Sequence, residues 1–353
     1  MIVFNEAKPK YEKLDELLES QLVDIRYTNQ VNILVDLKEL ARKFFRPDIN
    51  VDGIGRGNLI SEISSDIINT IGHYRNYFFK RGKYTTFYFL YSYKPCEGYK
   101  KLFADYKKEY YAKYLEGEDP KVGLIKKAIQ ITEKVINKAI PHAYFIETSD
   151  YDEFVNARYI LENIVNKNEL TLIISNDDIF YQLVDDHTYI LEPKGIKSVL
   201  LSSDTIIKTL TEDDSCQLSY HSIPAILALS GVKRYSFKTL PKVALKKAVA
   251  YLTKLKEKGL FVDLDSIDSP IEFGKLSPKI PLEKKLLDAQ QAIEETYGLI
   301  RGDDMLYQNS LTLKSKYAGL SATRTPMYFK DLNSKVFPMH PLQADMILKG
   351  EKL

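Results

Sequence analysis

The sequence predicts an α/β fold: a parallel central sheet with helices on both faces, then a helical region and an irregular C-terminal extension. Three observations predict it. Short apolar runs alternate with helical patterns through residues 31–184, the arrangement that builds a parallel sheet covered by helices. Acidic residues stand at the ends of three of those runs. Beyond residue 222 the β-type runs cease and helical spacing takes over.

The elements follow in order. Residues 11–30 form an amphipathic helix with Leu14, Leu17, Leu18 and Leu22 on one face. Val31–Asp36 is a first buried strand, and Leu37–Phe45 a helix stopped near Pro47. Asp48–Gly57 is a Gly/Asp-rich loop, and Leu59–Phe79 a long helix. Tyr84–Tyr91 is strongly β-prone. Val122–Ile140 is a helix closed by Pro141, Ala143–Ile146 a strand, and Tyr151–Val165 a helix. Leu170–Ile174 is a strand that runs through acids into a helix starting at Ile179. Thr188–Leu191 and Val199–Leu201 are candidate short strands. From Ile223 to Leu260 the chain is helical, with two or three short helices around Ser230–Pro241. Residues 263–282, with four acids, three Pro and one Gly, read as a linker before a helix over Leu282–Tyr297. Residues 303–353 lack periodicity and read as an extended arm for docking a protein partner. Four units result: a helical extension at 1–30, the α/β domain at 31–215, a helical region at 216–262, and the linker, helix and arm at 263–353.

Composition narrows the class. The 353 residues are 44% hydrophobic and 28% charged, ample for a real core. No run of about 18 apolar residues predicts a membrane span, and the first ten residues lack a signal-peptide layout. Two cysteines exclude a disulfide framework, and the five histidines have no metal-ligand spacing. A cytoplasmic chain is expected, in the host cytoplasm if the source is viral. Of 50 Lys and Arg, 10 are Arg and the remaining 40 Lys, and Trp is absent. That bias reflects A·T-rich coding, so the lysine excess is not itself a functional signal.

Carboxylates at the C-terminal ends of parallel strands sit where α/β folds hold ligands. Asp36 ends the first strand, Asp150, Asp152 and Glu153 follow Ala143–Ile146, and Asp177 and Asp178 follow Leu170–Ile174. Such a cluster repels itself unless a cation neutralises it. Its chemical use would be metal-assisted phosphodiester hydrolysis, in which two cations about 3.5–4 Å apart clamp the attacking and leaving oxygens. The plain alternative is helix capping, for which Asp is well suited; Asp150 or Asp152 could cap the helix near Tyr151.

Several of these segments together resemble the 5′-nuclease superfamily, the PIN-like flap endonucleases and polymerase-associated 5′-exonucleases. Val-Asn-Ile-Leu-Val-Asp resembles its opening strand. Asp150-Tyr151-Asp152-Glu153 resembles its E-A-D-D, and Ser175–Leu183 its S-x-D-x-D-x-x-Q-L. Ala228–Tyr235 and Leu240–Ala248 resemble its helix-hairpin-helix segment A-L-x-G-D-x-x-D-N…G-x-x-G-I-G-x-K-T-A without a gap. The resemblance covers about residues 31–260. It implies metal ligands at Asp36, Asp150, Asp152 and Asp177, more weakly at Glu153 and Asp178.

The departures from the pattern are systematic. Ser92, Ile179, Val232 and Tyr235 stand where the family has Asp, and Thr239, Lys242 and Ala244 replace hairpin glycines. One Mg²⁺ held through water is then expected rather than two.

Residues 75–114 hold ten Lys/Arg against three acids, interleaved with aromatics, a mix suited to single-stranded nucleic acid. Arg81, Lys83, Lys100, Lys101, Lys107 and Lys108 are its candidate DNA contacts. Lys233, Arg234, Lys242, Lys246 and Lys247 are those of the hairpin region. The expected function is binding of branched or single-stranded DNA, in phage replication or DNA metabolism, with cleavage weak or lost. Two other readings stand beside it: an active, divergent Mg²⁺-dependent 5′-nuclease, and a structural adaptor of a viral complex.

Overall fold

A computed structural model describes Leu14, Leu18 and residues 25–45, 55–92, 120–140, 142–147, 152–194, 197–211, 216–232, 235–237, 240, 243–263 and 270–302. Six strands form one sheet: β1 (Gln30–Asp36), β2 (Tyr84–Tyr91), β3 (Ala143–Glu147), β4 (Leu170–Ile174), β5 (Thr188–Lys194) and β6 (Lys197–Leu201). Their order is β3-β2-β1-β4-β5-β6. The first five run parallel, and β6 returns antiparallel to β5. The helices are α1 (Leu37–Lys43), α2 (Gly55–Phe79), α3 (Pro120–Ala139), α4 (Glu153–Asn163), α5 (Ile206–Thr211), α6 (Ile223–Ser230), α7 (Leu245–Glu257), α8 (Pro281–Leu287) and α9 (Gln290–Arg301).

Alternation along the strands sorts their side chains into two cores. Val31, Ile33 and Val35 of β1, Phe87 and Phe89 of β2, and Leu170, Leu172 and Ile174 of β4 pack against α1, α2 and α3. Leu34, Tyr88, Leu90 and Ile173 point the other way, into a core with α4, α6, α7 and α9. Phe89 stacks on Phe145 with ring centroids 4.4 Å apart, joining β2 to the edge strand β3. Phe89, which is fully buried, contributes roughly 1.5–3 kcal/mol over an exposed ring. Asp36 has the parity of Leu34, so its carboxylate belongs to the second face.

Several boundaries differ from the sequence reading. Helix α2 begins at Gly55, inside the stretch read as a loop. The helix expected from Ile179 is a 3₁₀ turn over Asp178–Leu183. Asp185 Oδ1 accepts from the N–H groups of His187 and Thr188 at 2.8 and 2.7 Å, which turns the chain into β5 and leaves room only for a tight turn. The stretch read as a linker is partly core. Ile271, Phe273 and Leu276 are buried, and Phe261 bridges to Ile271. The single helix expected over Leu282–Tyr297 is two, α8 and α9.

Asp263 fastens α6 to α7. Its carboxylate accepts from the Ser219 N–H and hydroxyl, both at 2.8 Å, from the Ser222 hydroxyl at 2.5 Å, and from Lys256 Nζ at 3.0 Å. Burial pushes its pKa up, but these hydrogen bonds outweigh that and hold it below the ordinary Asp value. A depressed folded-state value means the stabilisation is present above the unfolded pKa and is lost as pH falls through the folded one. The stability difference between wild type and Asp263→Asn, read by urea unfolding, should therefore be full near neutrality and shrink below about pH 4. A difference that ignores pH would contradict this.

Candidate functional site

Strands β1 and β4 are neighbours, with Val35 paired to Ile174, so the chain leaves both at the same edge of the sheet. Asp36 caps α1. Its Oδ1 accepts from the Glu39 N–H at 3.2 Å and its Oδ2 from the Ser175 hydroxyl at 3.0 Å. Ser175 Oγ in turn accepts from the Asp177 N–H at 3.1 Å. Asp177 caps the 3₁₀ turn, Oδ1 accepting from the Ile179 N–H at 3.3 Å, while its Oδ2 accepts from the Tyr235 hydroxyl at 2.9 Å. Asp152 caps α4 through the Phe154 N–H, and Tyr235 lies within reach of the same Oδ1, both at 3.4 Å. The three carboxylates are 3%, 1% and 5% exposed for Asp36, Asp152 and Asp177, so these partners stand in place of water.

A second group lies beside them. Glu153 Oε1 accepts from the Ser92 hydroxyl at 2.5 Å and pairs with Lys38 Nζ at 3.0 Å. Lys38 Nζ also reaches Ser92 Oγ at 3.2 Å. Lys38 stands in the first turn of α1, and Ser92 directly follows β2.

Of the acids that sequence placed here, Asp36, Asp152 and Asp177 converge, linked through Ser175 and Tyr235, with Glu153 alongside. Asp178 reaches the Tyr181 hydroxyl instead. Burial first, then the charges of Asp178 and Glu192, push that phenol well above its usual value. Asp150 lies outside the described residues. Ile179 and Val232 are 0% and 3% exposed and belong to the apolar core. Sequence reasoning marked Ser92 and Tyr235 as missing acids and passed over Lys38. The structure makes all three donors to the remaining carboxylates.

This donor set does not fit a pair of divalent cations. Such ions require several oxygens turned toward one point. Each oxygen of Asp36 and Asp177 is turned toward a protein donor, so a cation would have to compete with these hydrogen bonds. Among the described residues, no group of three or more His, Cys, Asp or Glu side chains is arranged to hold a metal ion.

The basic residues divide. Arg81 and Lys83 precede β2 and sit at the opposite end of the sheet. The eight-residue strand separates them from the carboxylates by roughly 25 Å. Arg81 stacks 3.7 Å over the Tyr77 ring and donates to the Tyr77 carbonyl, and Lys83 donates to the Arg26 carbonyl. Arg81 thus ties down the end of α2, and Lys83 joins it to the turn before β1. One basic run in sequence spans both ends of a strand. Lys246 and Lys247 are exposed in the first turn of α7. Lys100, Lys101, Lys107, Lys108, Lys233, Arg234 and Lys242 lie outside the described residues, as does the arm at 303–353. Among the described residues, no helix is long and apolar enough to cross a membrane.

The fold has solved counterparts. The bacteriophage T5 D15 protein, co-crystallised with metal ions, matches with a TM-score of 0.60 at 12% identity, over 82% of this chain and 98% of that one. A T5 flap endonuclease variant, in a pseudo-enzyme–product complex with DNA and metal ions, matches with the same score and identity over 82% and 97%. The T5 5′-exonuclease with bound zinc matches at 0.55 and 13% identity, over 83% and 94%. No family model matches the sequence, and no curated protein does. The chain has the 5′-nuclease fold. Its mixed, mostly parallel sheet and covering helices are those of the PIN-like architecture.

The hydrogen bonds at this edge set the sign of a mutation. Carboxylates that merely repel one another are relieved by removal, whereas carboxylates holding donors are not. Asp177→Ala should lower stability by about 1–3 kcal/mol in urea unfolding without divalent ions. A stabilised Asp177→Ala protein would show that repulsion dominates.

Proposed function

We propose that this chain is a DNA-binding protein of phage replication or DNA metabolism in which the 5′-nuclease fold is kept and metal-dependent cleavage is weak or lost. The observation that carries this is the burial of Ile179 and Val232 in hydrocarbon, at two positions where the family resemblance calls for Asp. A cation beside them would lose hydration and gain no ligand, a steep cost. Ser92 and Tyr235, at the other two such positions, bring hydroxyl groups in place of carboxylates.

Several features support the DNA-binding half. One structural neighbour is a complex with DNA, and the neighbours named above are phage proteins. Helix α7 begins Leu245-Lys246-Lys247, with both lysines exposed. The positive end of the helix dipole favours phosphate at such a terminus. The basic, aromatic stretch beyond Ser92 suits a single strand, so branched or single-stranded DNA is the proposed ligand.

The test is binding and cleavage of labelled 5′-flap, nicked and single-stranded DNA, with EDTA and with Mg²⁺ or Mn²⁺. Binding should persist in EDTA and no robust cleavage should appear with either metal. The double variant Lys246→Glu/Lys247→Glu should weaken duplex binding and lower the salt slope by about 2. Robust cleavage that Asp177→Ala abolishes would overturn the loss of activity. Unchanged affinity in the double variant would remove α7 from the interface.

A further inference from the structure

We propose that the carboxylate edge carries its own replacements for divalent cations, the Tyr235 hydroxyl and the Lys38 ammonium, and that Tyr235 is the residue that closes the site to metal. This rests on the reading that metal-dependent cleavage is lost, and it adds the means by which the remaining acids are stabilised.

Each replacement has a definite place. Tyr235 lies between Asp152 and Asp177, the position a bridging cation would take, and directs one O–H dipole at them. A hydrogen bond to an ionised acceptor is roughly twice as strong as a neutral one. Lys38 provides a full positive charge to Glu153, with Ser92 completing the group. Two of the positions where the family resemblance calls for an acid, those of Ser92 and Tyr235, thus supply donors to the acids that remain. Each exchange removes one carboxylate and provides a partner for another.

Tyr235 is also fixed in place. Its side chain is 1% exposed, in the same core as Val232 and Ile179. Its ring lies 5.4 Å from that of Phe237, and its N–H donates to the Val232 carbonyl at 2.9 Å. Ser236 then turns the chain through a left-handed conformation at φ 57°, which few residues other than glycine adopt. An entering ion would have to expel this ring from a packed core and leave a void behind it. The hydroxyl is therefore a permanent occupant rather than a placeholder that metal displaces.

The test is Mn²⁺ binding to the full chain without DNA, followed by electron paramagnetic resonance, with melting temperature in EDTA and in Mn²⁺ as a second readout. Wild type should show no saturable binding at this edge and the same melting temperature in both conditions. Tyr235→Asp turns a shorter carboxylate toward Asp152 and Asp177 across the space that the ring vacates. It should bind Mn²⁺ at least about tenfold more tightly than wild type and melt higher in Mn²⁺ than in EDTA. Lys38→Gln removes the charge and shortens the side chain by one atom, so it should fold whether or not Tyr235→Asp does, and with Tyr235 still in place it should show no saturable Mn²⁺ binding at this edge. Tight saturable binding by wild type or by Lys38→Gln, or no gain in a folded Tyr235→Asp, would overturn the proposal. Cleavage by wild type would instead overturn the functional reading, and Mn²⁺ binding measured without DNA keeps the two results separate.

Discussion

Parallel strands that share one direction deliver the residues at their C-terminal ends to a single edge, and in this chain Asp36 ends β1, Asp152 follows β3 and Asp177 follows β4. The register of β1 against β2 and β4 brings that charge together, and the rest of the molecule is arranged around matching it. Ser175 does so from within the same loop, Lys38 from the first turn of the neighbouring helix, and Tyr235 from the helical region that covers the second face. The last of these also fastens that region to the sheet. Gln182 donates to the Ile300 carbonyl at 2.8 Å and Arg158 to the Arg301 carbonyl at 2.6 Å, so α9 is held by the same body. Helix α6 packs against both α7 and α9. Covering helices and sheet form one structure joined across a polar seam as well as an apolar core.

Asp36, Asp152 and Asp177 each cap the element that follows, a use that needs no metal. One oxygen of each satisfies an N–H that would otherwise be stranded at the start of a helix, and Asp36 and Asp177 turn the other toward Ser175 and Tyr235. A strand-end aspartate can therefore serve architecture and chemistry at once. The capping role is the one these hydrogen bonds carry. Ile179 and Val232, close to Asp177 and Tyr235 in sequence, belong to the apolar core instead.

Much of the fold could be read from residues alone, because alternation and helical spacing are local signals. Val31–Asp36 and Leu170–Ile174 declare themselves as buried strands, and their order with the helices between them specifies a parallel sheet. The carboxylate edge followed from that topology. What could not be read was the identity of the partners. Tyr235 meets Asp177 across 58 residues of chain and Lys38 meets Glu153 across 115, and no spacing rule connects such pairs. Ile271, Phe273 and Leu276 were hidden for a related reason. Their polar, Pro- and Gly-bearing neighbours look like a linker, and only a surface built by distant residues makes them core. Arg81 and Lys83 show the opposite case, because their nearness in sequence to Ser92 conceals the length of the strand between them.

The end of α9 has a consequence for anything that follows it. Arg301 lines a polar cavity of about 230 Å³ together with Glu169, Thr171 and Thr188, at the beginnings of β4 and β5. The chain therefore leaves the described fold at Gly302 on the pole away from the carboxylates, which lie beyond the far end of β4, a strand of five residues or roughly 16 Å. Whatever follows Gly302 thus starts from the pole opposite the acidic edge, and the end of α9 takes no part in covering that edge.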